Sequence, residues 1–143
     1  MDYCDGWIPG RIPIDTLDQR LRELDAGSAD TGAKVTRGII PLVKVARTLE
    51  AARSDIDIAA LAGSSEASRD WILPASGGFN NVDDLKGILV AGDPATCVEQ
   101  IAELASRGLD HFVFDLRLQH DRFEEALELI ASDVIPVLRK ERI

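Results

Sequence analysis

The residues whose types and spacing could do chemistry stand in two short stretches near the ends of the chain. Asp5, Trp7 and Arg11 lie in "DGWIPGR", and Asp115 and Arg117 lie in "FDLRLQH". An indole can wall a ligand pocket while its N–H finds a polar partner. A guanidinium fork can hold a phosphate or carboxylate through parallel hydrogen bonds. We therefore take Trp7, Arg11, Asp115 and Arg117 as candidate binding residues.

Each of these candidates also has a purely structural interpretation, and the sequence leaves both open. Asp5 and Gly6 are typical of a turn, and Trp7 would then pack beneath it. We expect Asp115 and Arg117 to point to opposite sides of a strand end, so that an inward arginine binds an anion. The alternative is an ion pair between the two that closes the strand end.

Other charged or reactive residues point less clearly to a ligand. "AGDPATC" offers the backbone N–H groups of a helix N-terminus to an anion, but the Asp93 carboxylate should cap those groups itself. Lys44 and Arg47 follow an apolar run and could face a substrate, although charged strand ends are usually solvated. Cys97 fits a small core residue, and His120 fits a solvated surface residue. The sequence contains no GxGxxG, P-loop or HExxH motif.

Length and composition predict a single globular domain over residues 1–143. A chain of this length, with 45% hydrophobic and 29% charged residues, can bury a core without disulfides. Its net charge of −9 argues against nucleic acid or an anionic membrane surface as a partner. Two cysteines without CxxC spacing predict no metal site and favour a reducing, cytoplasmic location. No apolar run approaches the length of a membrane span.

The candidate residues must be positioned by the elements between them, which begin with a helix and a strand. A capping box at Thr16 and Gln19 starts a leucine-patterned helix that we expect to end at Gly27. The apolar run Ile39–Val45 predicts a strand covered on both faces, with Pro41 interrupting it. A helix then begins at Thr48, a second helical period covers 56–63, and Ser65 caps another short helix. Residues 74–84 form the longest predicted loop.

The second half of the chain contains the clearest strand and helix pair. Ile88–Val90 is predicted to form a strand that Gly92 ends with a turn. A helix then begins with Asp93 as its cap and Pro94 at its first position, and it ends at Gly108. His111–Asp115 is the last predicted strand. The closing helix is predicted from five apolar residues at helical spacing: Phe123, Leu127, Ile130, Val134 and Leu138. Such alternation predicts an α/β fold with about four parallel strands and binding residues at their carboxyl ends.

In this order the segments resemble the C-terminal portion of the bacterial luciferase-like monooxygenases, a family of flavin- and deazaflavin-dependent oxidoreductases. The resemblance is carried by "YCDGWIPG", "IPLVKVARTLEAA", "ILVAGDPATCVEQIAELASRGLDHFVFDLR" and "DRFEEALELIASDVIPVLR". It implies that the chain forms the C-terminal part of a TIM (β/α)8 barrel, an incomplete barrel that begins partway through the family's fold. Most of the family's cofactor pocket lies upstream of the matching segments.

The resemblance implies an oxidoreductase that uses FMN or deazaflavin on a small-molecule substrate, with Trp7 facing the pocket. The activity of this chain by itself is the open point, because the front of the barrel is absent from the match. The alternative is a non-catalytic half-barrel that hides its open edges, either as a homo-oligomer or by pairing with a complementing barrel half.

Overall fold

A computed structural model of the protein describes residues 5–32, 34–63 and 70–141. Within these residues all strand pairs are parallel. The five strands are β1 (Gly6–Trp7), β2 (Thr36–Ile39), β3 (Leu42–Val45), β4 (Leu89–Gly92) and β5 (His111–Phe112). The α/β class predicted from the sequence is therefore confirmed. Cys4 and the first part of the helix predicted over residues 64–73 lie outside the described residues. The last part of that helix prediction is wrong, because residues 71–73 are irregular.

Six α-helices accompany the strands in the described residues. They are α1 (Ile14–Thr31), α2 (Leu49–Arg53), α3 (Ile58–Gly63), α4 (Pro94–Ala105), α5 (Phe123–Leu129) and α6 (Ile135–Glu141). Short 3-10 segments at Val82–Leu85 and Arg117–Arg122 precede β4 and α5, and a π-helical turn at Ile130–Val134 joins α5 to α6. None of the described helices combines the length and the apolar content needed to cross a membrane.

The centre of the sheet is the long extended segment formed by β2 and β3. Pro41 lacks an N–H donor and divides the run predicted as one strand into two. β2 lies between β1 and β5, whereas β3 pairs with β4. The two parts stay connected, because the Val43 N–H donates to the Asp115 carbonyl oxygen at 2.8 Å. The last predicted strand, His111–Asp115, pairs with β2 only at His111–Phe112. Farther along, it makes a single bridge between Asp115 and Leu42.

Two glutamine amides cover strand edges that pair with no other strand of the described residues. The Gln119 side chain accepts from the Val45 N–H at 2.8 Å and donates to the Val45 carbonyl at 2.7 Å. Gln100 makes the same pair of bonds with Ala91 of β4, at 3.2 and 3.1 Å. Each amide thus takes the place of a neighbouring peptide group, so that these backbone groups are satisfied and shielded.

Two hydrophobic clusters lie against the β3–β4 pair. The larger cluster packs β2 and β3 against α1, α4 and the C-terminal helices, with Leu17, Ile39, Val43, Ile101 and Val134 among its buried members. The smaller one is built on Leu42, Leu61, Leu85, Ile88, Leu89 and Ala91. Trp71 and Phe79 pack against the smaller cluster, with their rings edge to face at 6.0 Å. The irregular segment around them therefore covers a second part of the core.

The boundaries of α1 differ from the prediction at both ends. The helix begins at Ile14 directly after Pro13, with no side-chain cap, so the predicted capping box does not form. Thr16 is buried, and its hydroxyl instead accepts from the Ile72 N–H at 2.8 Å. The helix continues past Gly27 and ends at Gly32, whose φ of 67° is the left-handed conformation that closes a helix. A tertiary contact thus uses the hydroxyl that the local motif would have used.

Elsewhere the local signals agree more closely with the structure. Asp93 caps α4 by accepting from the Thr96 N–H at 2.9 Å, with Pro94 at the first position. Thr48 caps α2 through the Ala51 N–H. β4 extends through Gly92, which we predicted to be a turn. The loop predicted at 74–84 includes a 3-10 turn that Asn81 caps.

The closing helix has only part of the predicted buried face. Ile130, Val134 and Leu138 are buried, whereas Phe123 and Leu127 are 47% and 45% exposed. The predicted apolar period is therefore present, but the two residues in its first turns are left about half uncovered.

Candidate functional site

Three of the four candidate binding residues come together at the carboxyl end of the sheet. Arg117 Nε lies 2.9 Å from Asp115 Oδ1, and Arg117 Nη2 lies 2.7 Å from Oδ2, so the guanidinium and carboxylate face each other with two contacts. The positive charge of Arg11 also acts on the Asp115 carboxylate. The Asp115 side chain is 13% exposed and that of Arg117 is 67% exposed.

The balance of burial and charge determines how Asp115 ionises. Burial alone would raise its pKa, but the hydrogen bonds from the Arg117 side chain and backbone, with the charges of Arg117 and Arg11, lower the pKa below its ordinary value. The same pair raises the pKa of Arg117. The site therefore holds a carboxylate and a guanidinium, both charged near neutral pH.

The expectation that Asp115 and Arg117 point to opposite sides is wrong. Residues two apart share one face of an extended chain, and here the chain also turns into a 3-10 segment at Arg117. The geometry is that of the structural alternative, an ion pair that closes the strand end. Because Asp115 occupies the guanidinium fork, a ligand anion would have to compete with it or approach from the exposed side.

Trp7 is half-buried in β1 and packs against the larger hydrophobic cluster. This contact agrees with the structural interpretation of Trp7 as a packing residue. A contact between Trp7 and a ligand stays a prediction. The opposite face of the sheet is open: Ile8 and Val113 are 45% and 43% exposed. A side chain at Gly38 would lie 3.2 Å from Ile8 Cγ1 and 3.1 Å from His111 Cβ, so these residues share that face.

The remaining charged candidates divide between core and surface. Lys44 is buried and forms an ion pair with Asp55, contrary to the expectation of a solvated strand end. Arg47 is exposed and lies 3.4 Å from Glu125. His120 is exposed and contacts Asp121 at 2.8 Å, as a surface residue would.

Cys97 is the small core residue predicted from the sequence. Burial, together with the negative charge of Asp93, raises the pKa of its thiol to about 12. A thiol with this pKa is a poor nucleophile at neutral pH, so Cys97 contributes packing rather than reactivity.

An apolar hollow with a volume of about 490 Å³ opens on the surface of the described residues. It lies beside the carboxyl end of the chain segment that contains β5. Its lining includes Phe114, Phe123, Leu127, Ile130 and Ile135, with Arg117 and His120 at its polar side. Three of these residues, Phe123, Leu127 and Ile130, belong to the apolar period from which the closing helix is predicted.

Sequence reasoning missed the two features that depend on tertiary contact. Gln119 had no local signal, because its partner Val45 lies 74 residues away. The burial of Lys44 was partly visible, since "LVKV" is an apolar strand in which a lysine is unusual.

Among the described residues, no three His, Cys, Asp or Glu side chains come together to hold a metal ion.

Comparisons with known proteins show the fold. No protein-family model and no curated protein matches the sequence. Among solved structures, the coenzyme F420-dependent tetrahydromethanopterin reductase from Methanopyrus kandleri matches with a TM-score of 0.63 and 17% identity. A riboflavin lyase, solved with modified FMN and riboflavin, matches with a TM-score of 0.60 and 19% identity.

The matches cover most of this chain but less than half of each neighbour. They include 92% and 97% of this chain, against 45% of the reductase and 39% of the lyase. At these identities the likeness establishes the fold alone: the chain has the parallel α/β fold of a segment of these enzymes.

Proposed function

We propose that this chain is the C-terminal part of a luciferase-like TIM barrel, and that it serves a flavin- or deazaflavin-dependent oxidoreductase. The observation that carries the proposal is the three-strand parallel sheet β1–β2–β5, with charged side chains at its carboxyl end. That edge is where parallel α/β proteins place their ligands. The names of the two structural neighbours, one acting with coenzyme F420 and one bound to FMN, support the class of cofactor.

The described residues supply only one wall of such a cofactor site. Ile8 and Val113 form an exposed apolar surface of the kind on which a planar ring system packs. The Arg117 fork is already bound to Asp115, so this pair does not provide a free anchor for a cofactor phosphate. A complete FMN or deazaflavin site therefore does not fit within the described residues alone.

A methyl-NMR titration with FMN and with a deazaflavin tests the proposal. We expect weak shifts confined to the methyl groups of Ile8 and Val113, because the described residues supply only one wall of the site. Ile8→Lys should abolish them, whereas Ile72→Lys, at another exposed isoleucine, should not. The absence of shifts at millimolar cofactor, or equal shifts around Ile72, would overturn the proposal for this chain.

The second candidate function is that of a non-catalytic half-barrel that folds by pairing with another polypeptide. The apolar hollow lined by Phe123 and Leu127 favours this function. Phe123 and Leu127 are exposed beside β5, which ends the sheet. Open strand edges and exposed apolar patches are usually covered in stable proteins. In longer neighbours the matching segment is joined to further chain, so a complementing barrel half is the partner we propose. A second copy is the one polypeptide in a purified sample that could substitute for it.

Light scattering after size-exclusion chromatography tests the pairing. We expect a mass above that of the 15.6 kDa monomer, reduced by Phe123→Glu but not by Leu49→Glu on α2, which is similarly exposed. A native chain that is a stable monomer counts against pairing. A larger assembly that Phe123→Glu leaves intact places the contact elsewhere.

A further inference from the structure

A second polar cavity, separate from the Asp115–Arg117 pair, lies at the carboxyl end of β3. It has a volume of about 240 Å³ and opens between the turn after α2 and the 3-10 segment Arg117–Arg122. Its polar lining consists of Lys44, Ser54, Asp55, Gln119, Asp121 and Arg122. The proposed function above makes no use of this cavity.

Lys44 is the residue that makes the cavity unusual. Its side chain is only 10% exposed, and lysines are rarely buried to this degree unless they are paired. The partner is Asp55, which is 76% exposed on the turn after α2. An ammonium carries three N–H donors, and Asp55 is its one hydrogen-bond acceptor among the described residues. Two donors thus remain for a ligand or solvent in the cavity that Lys44 lines.

The opposite wall contributes a second cation and a fixed framework. Arg122 is exposed and makes no ion pair within the described part of the chain, while Asp121 contacts His120. The bonds between Gln119 and Val45 hold the 3-10 segment against β3, so the positions of Lys44 and Arg122 are linked through buried contacts. Ser54 lies at the rim, where its hydroxyl donates to the Ala51 carbonyl oxygen at 3.4 Å.

We propose that this cavity binds the phosphate group of a small ligand, held between the Lys44 ammonium and the Arg122 guanidinium. A planar guanidinium fork and a compact ammonium together match the several oxygens of a phosphate. The volume is below the range of about 300–1,000 Å³ typical of pockets for larger ligands, which favours free phosphate or a short phosphomonoester. Asp55 competes with the ligand for Lys44 and so sets the affinity.

An NMR titration at constant ionic strength, with inorganic phosphate and with glycerol phosphate as separate probes, tests this site. We expect saturable shifts in the Lys44 side chain and in residues 117–122, with chloride giving none. A stronger response to glycerol phosphate identifies a phosphomonoester as the ligand, and equal responses identify free phosphate.

Three variants separate the proposal from a purely structural Lys44–Asp55 pair. Arg122→Gln should weaken phosphate binding about tenfold, the equivalent of one lost charge-assisted hydrogen bond of about 1.4 kcal/mol. Asp55→Asn should tighten it, because the competing charge is removed while an acceptor remains. Arg139→Gln, an exposed cation on α6, should change nothing. No saturable shift in the native chain, or unchanged binding in Arg122→Gln, would overturn the site; circular dichroism checks that each variant is folded.

Discussion

At the residue scale, the Asp115–Arg117 pair joins the sheet end to the segment that follows it. Asp115 bonds through its backbone to Val43 and through its carboxylate to Arg117. Because the carboxylate is largely buried, removing the guanidinium leaves a charge without its main partner. We expect Arg117→Gln to lower the free energy of unfolding by about 1 kcal/mol at pH 7, and Arg139→Gln to have almost no effect.

The pH dependence of that difference gives a further check. The pKa of Asp115 is lowered in the folded protein, so its stabilising effect is present above the unfolded value of about 3.9 and is lost as the pH falls through the folded pKa. Urea unfolding of the native chain and of Arg117→Gln should therefore converge in strong acid. A difference that persists unchanged there would show that the pair acts through packing rather than charge.

Cys97 provides a prediction about reactivity. With a thiol pKa of about 12 and a buried side chain, it should alkylate far more slowly than an unfolded thiol at pH 8. Iodoacetamide labelling followed by peptide mass spectrometry, in buffer and in urea, measures this. Rapid labelling of Cys97 in buffer would mean that α4 opens locally, since the thiolate is otherwise scarcely populated.

How far the site could be predicted depended on whether each signal was local. The sequence identified Arg11, Asp115 and Arg117 because each lies at or after the carboxyl end of a predicted strand, and parallel strands bring their carboxyl ends together. It could not decide between an ion pair and a free arginine, since that depends on the angle at which the chain leaves β5. Gln119 was invisible because the backbone groups that it satisfies belong to a distant strand.

At the element scale, Gln119 should be worth more than an ordinary surface amide. Replacing it with alanine leaves both the N–H and the carbonyl of Val45 without a partner in a buried position. We expect the free energy of unfolding to fall by about 2 kcal/mol or more, since each unsatisfied group costs about 1–3 kcal/mol. Gln19→Ala, which removes an amide from the exposed side of α1, is the control. Equal urea midpoints for the two variants would show that water replaces the Gln119 bonds.

Two glycines that share one backbone conformation test the junction between α1 and β4. Gly87 has a φ of 86°, and a Cβ there would lie 2.3 Å from the Ile12 carbonyl oxygen. Gly77 has a φ of 84° but open space around it. Gly77→Ala should cost about 1 kcal/mol from backbone strain alone, and Gly87→Ala clearly more, because a backbone atom must also move. Thermal unfolding compares them directly, and equal losses would mean that the junction yields easily.

The elements themselves were predictable where capping and periodicity agreed. Asp93 and Pro94 start α4 as their types indicate, because the cap bonds are made within one turn. The start of α1 was not predictable, since the Thr16 hydroxyl bonds to Ile72, a residue far along the chain. The exposure of Phe123 shows the same limit, because helical spacing predicts a face and says nothing about whether a partner covers it.

At the scale of the whole molecule, the sheet β1–β2–β5 has uncovered edges, whereas the edges of the β3–β4 pair to which it is joined are covered. Glutamine amides shield the edges of the β3–β4 pair, whereas β1 and β5 end their sheet with no strand beyond them in the described residues. The uncovered sheet also carries exposed apolar side chains, at Ile8 and Val113. This asymmetry is why we place the proposed partner at β5 and the proposed phosphate site in the cavity beyond β3.

The charge of the whole chain leads to a prediction about acid stability. The net charge is −9 at pH 7, so lowering the pH toward the pI of about 4.6 first reduces repulsion and should leave stability level or slightly higher. Below about pH 4 the trend should reverse. Asp55, Asp84 and Asp93 have lowered pKa values because their ionised forms accept hydrogen bonds, from Lys44, the Asn80 backbone and the Thr96 backbone respectively.

Those contributions are fully present above the unfolded pKa of about 3.9 and disappear as the pH falls through the folded values. Urea midpoints measured from pH 7 to pH 2.5 should therefore show a plateau and then a fall. Salt should raise the stability at pH 7 by screening repulsion without removing the fall in acid. The urea midpoint of Asp84→Asn should be lower than that of the native chain at pH 7 and should fall less in acid. The reason is that Asn80, Asn81 and Ser76 then donate their hydrogen bonds to an uncharged group. A midpoint that rises steadily into acid would show that repulsion, and not these bonded carboxylates, governs the stability of the fold.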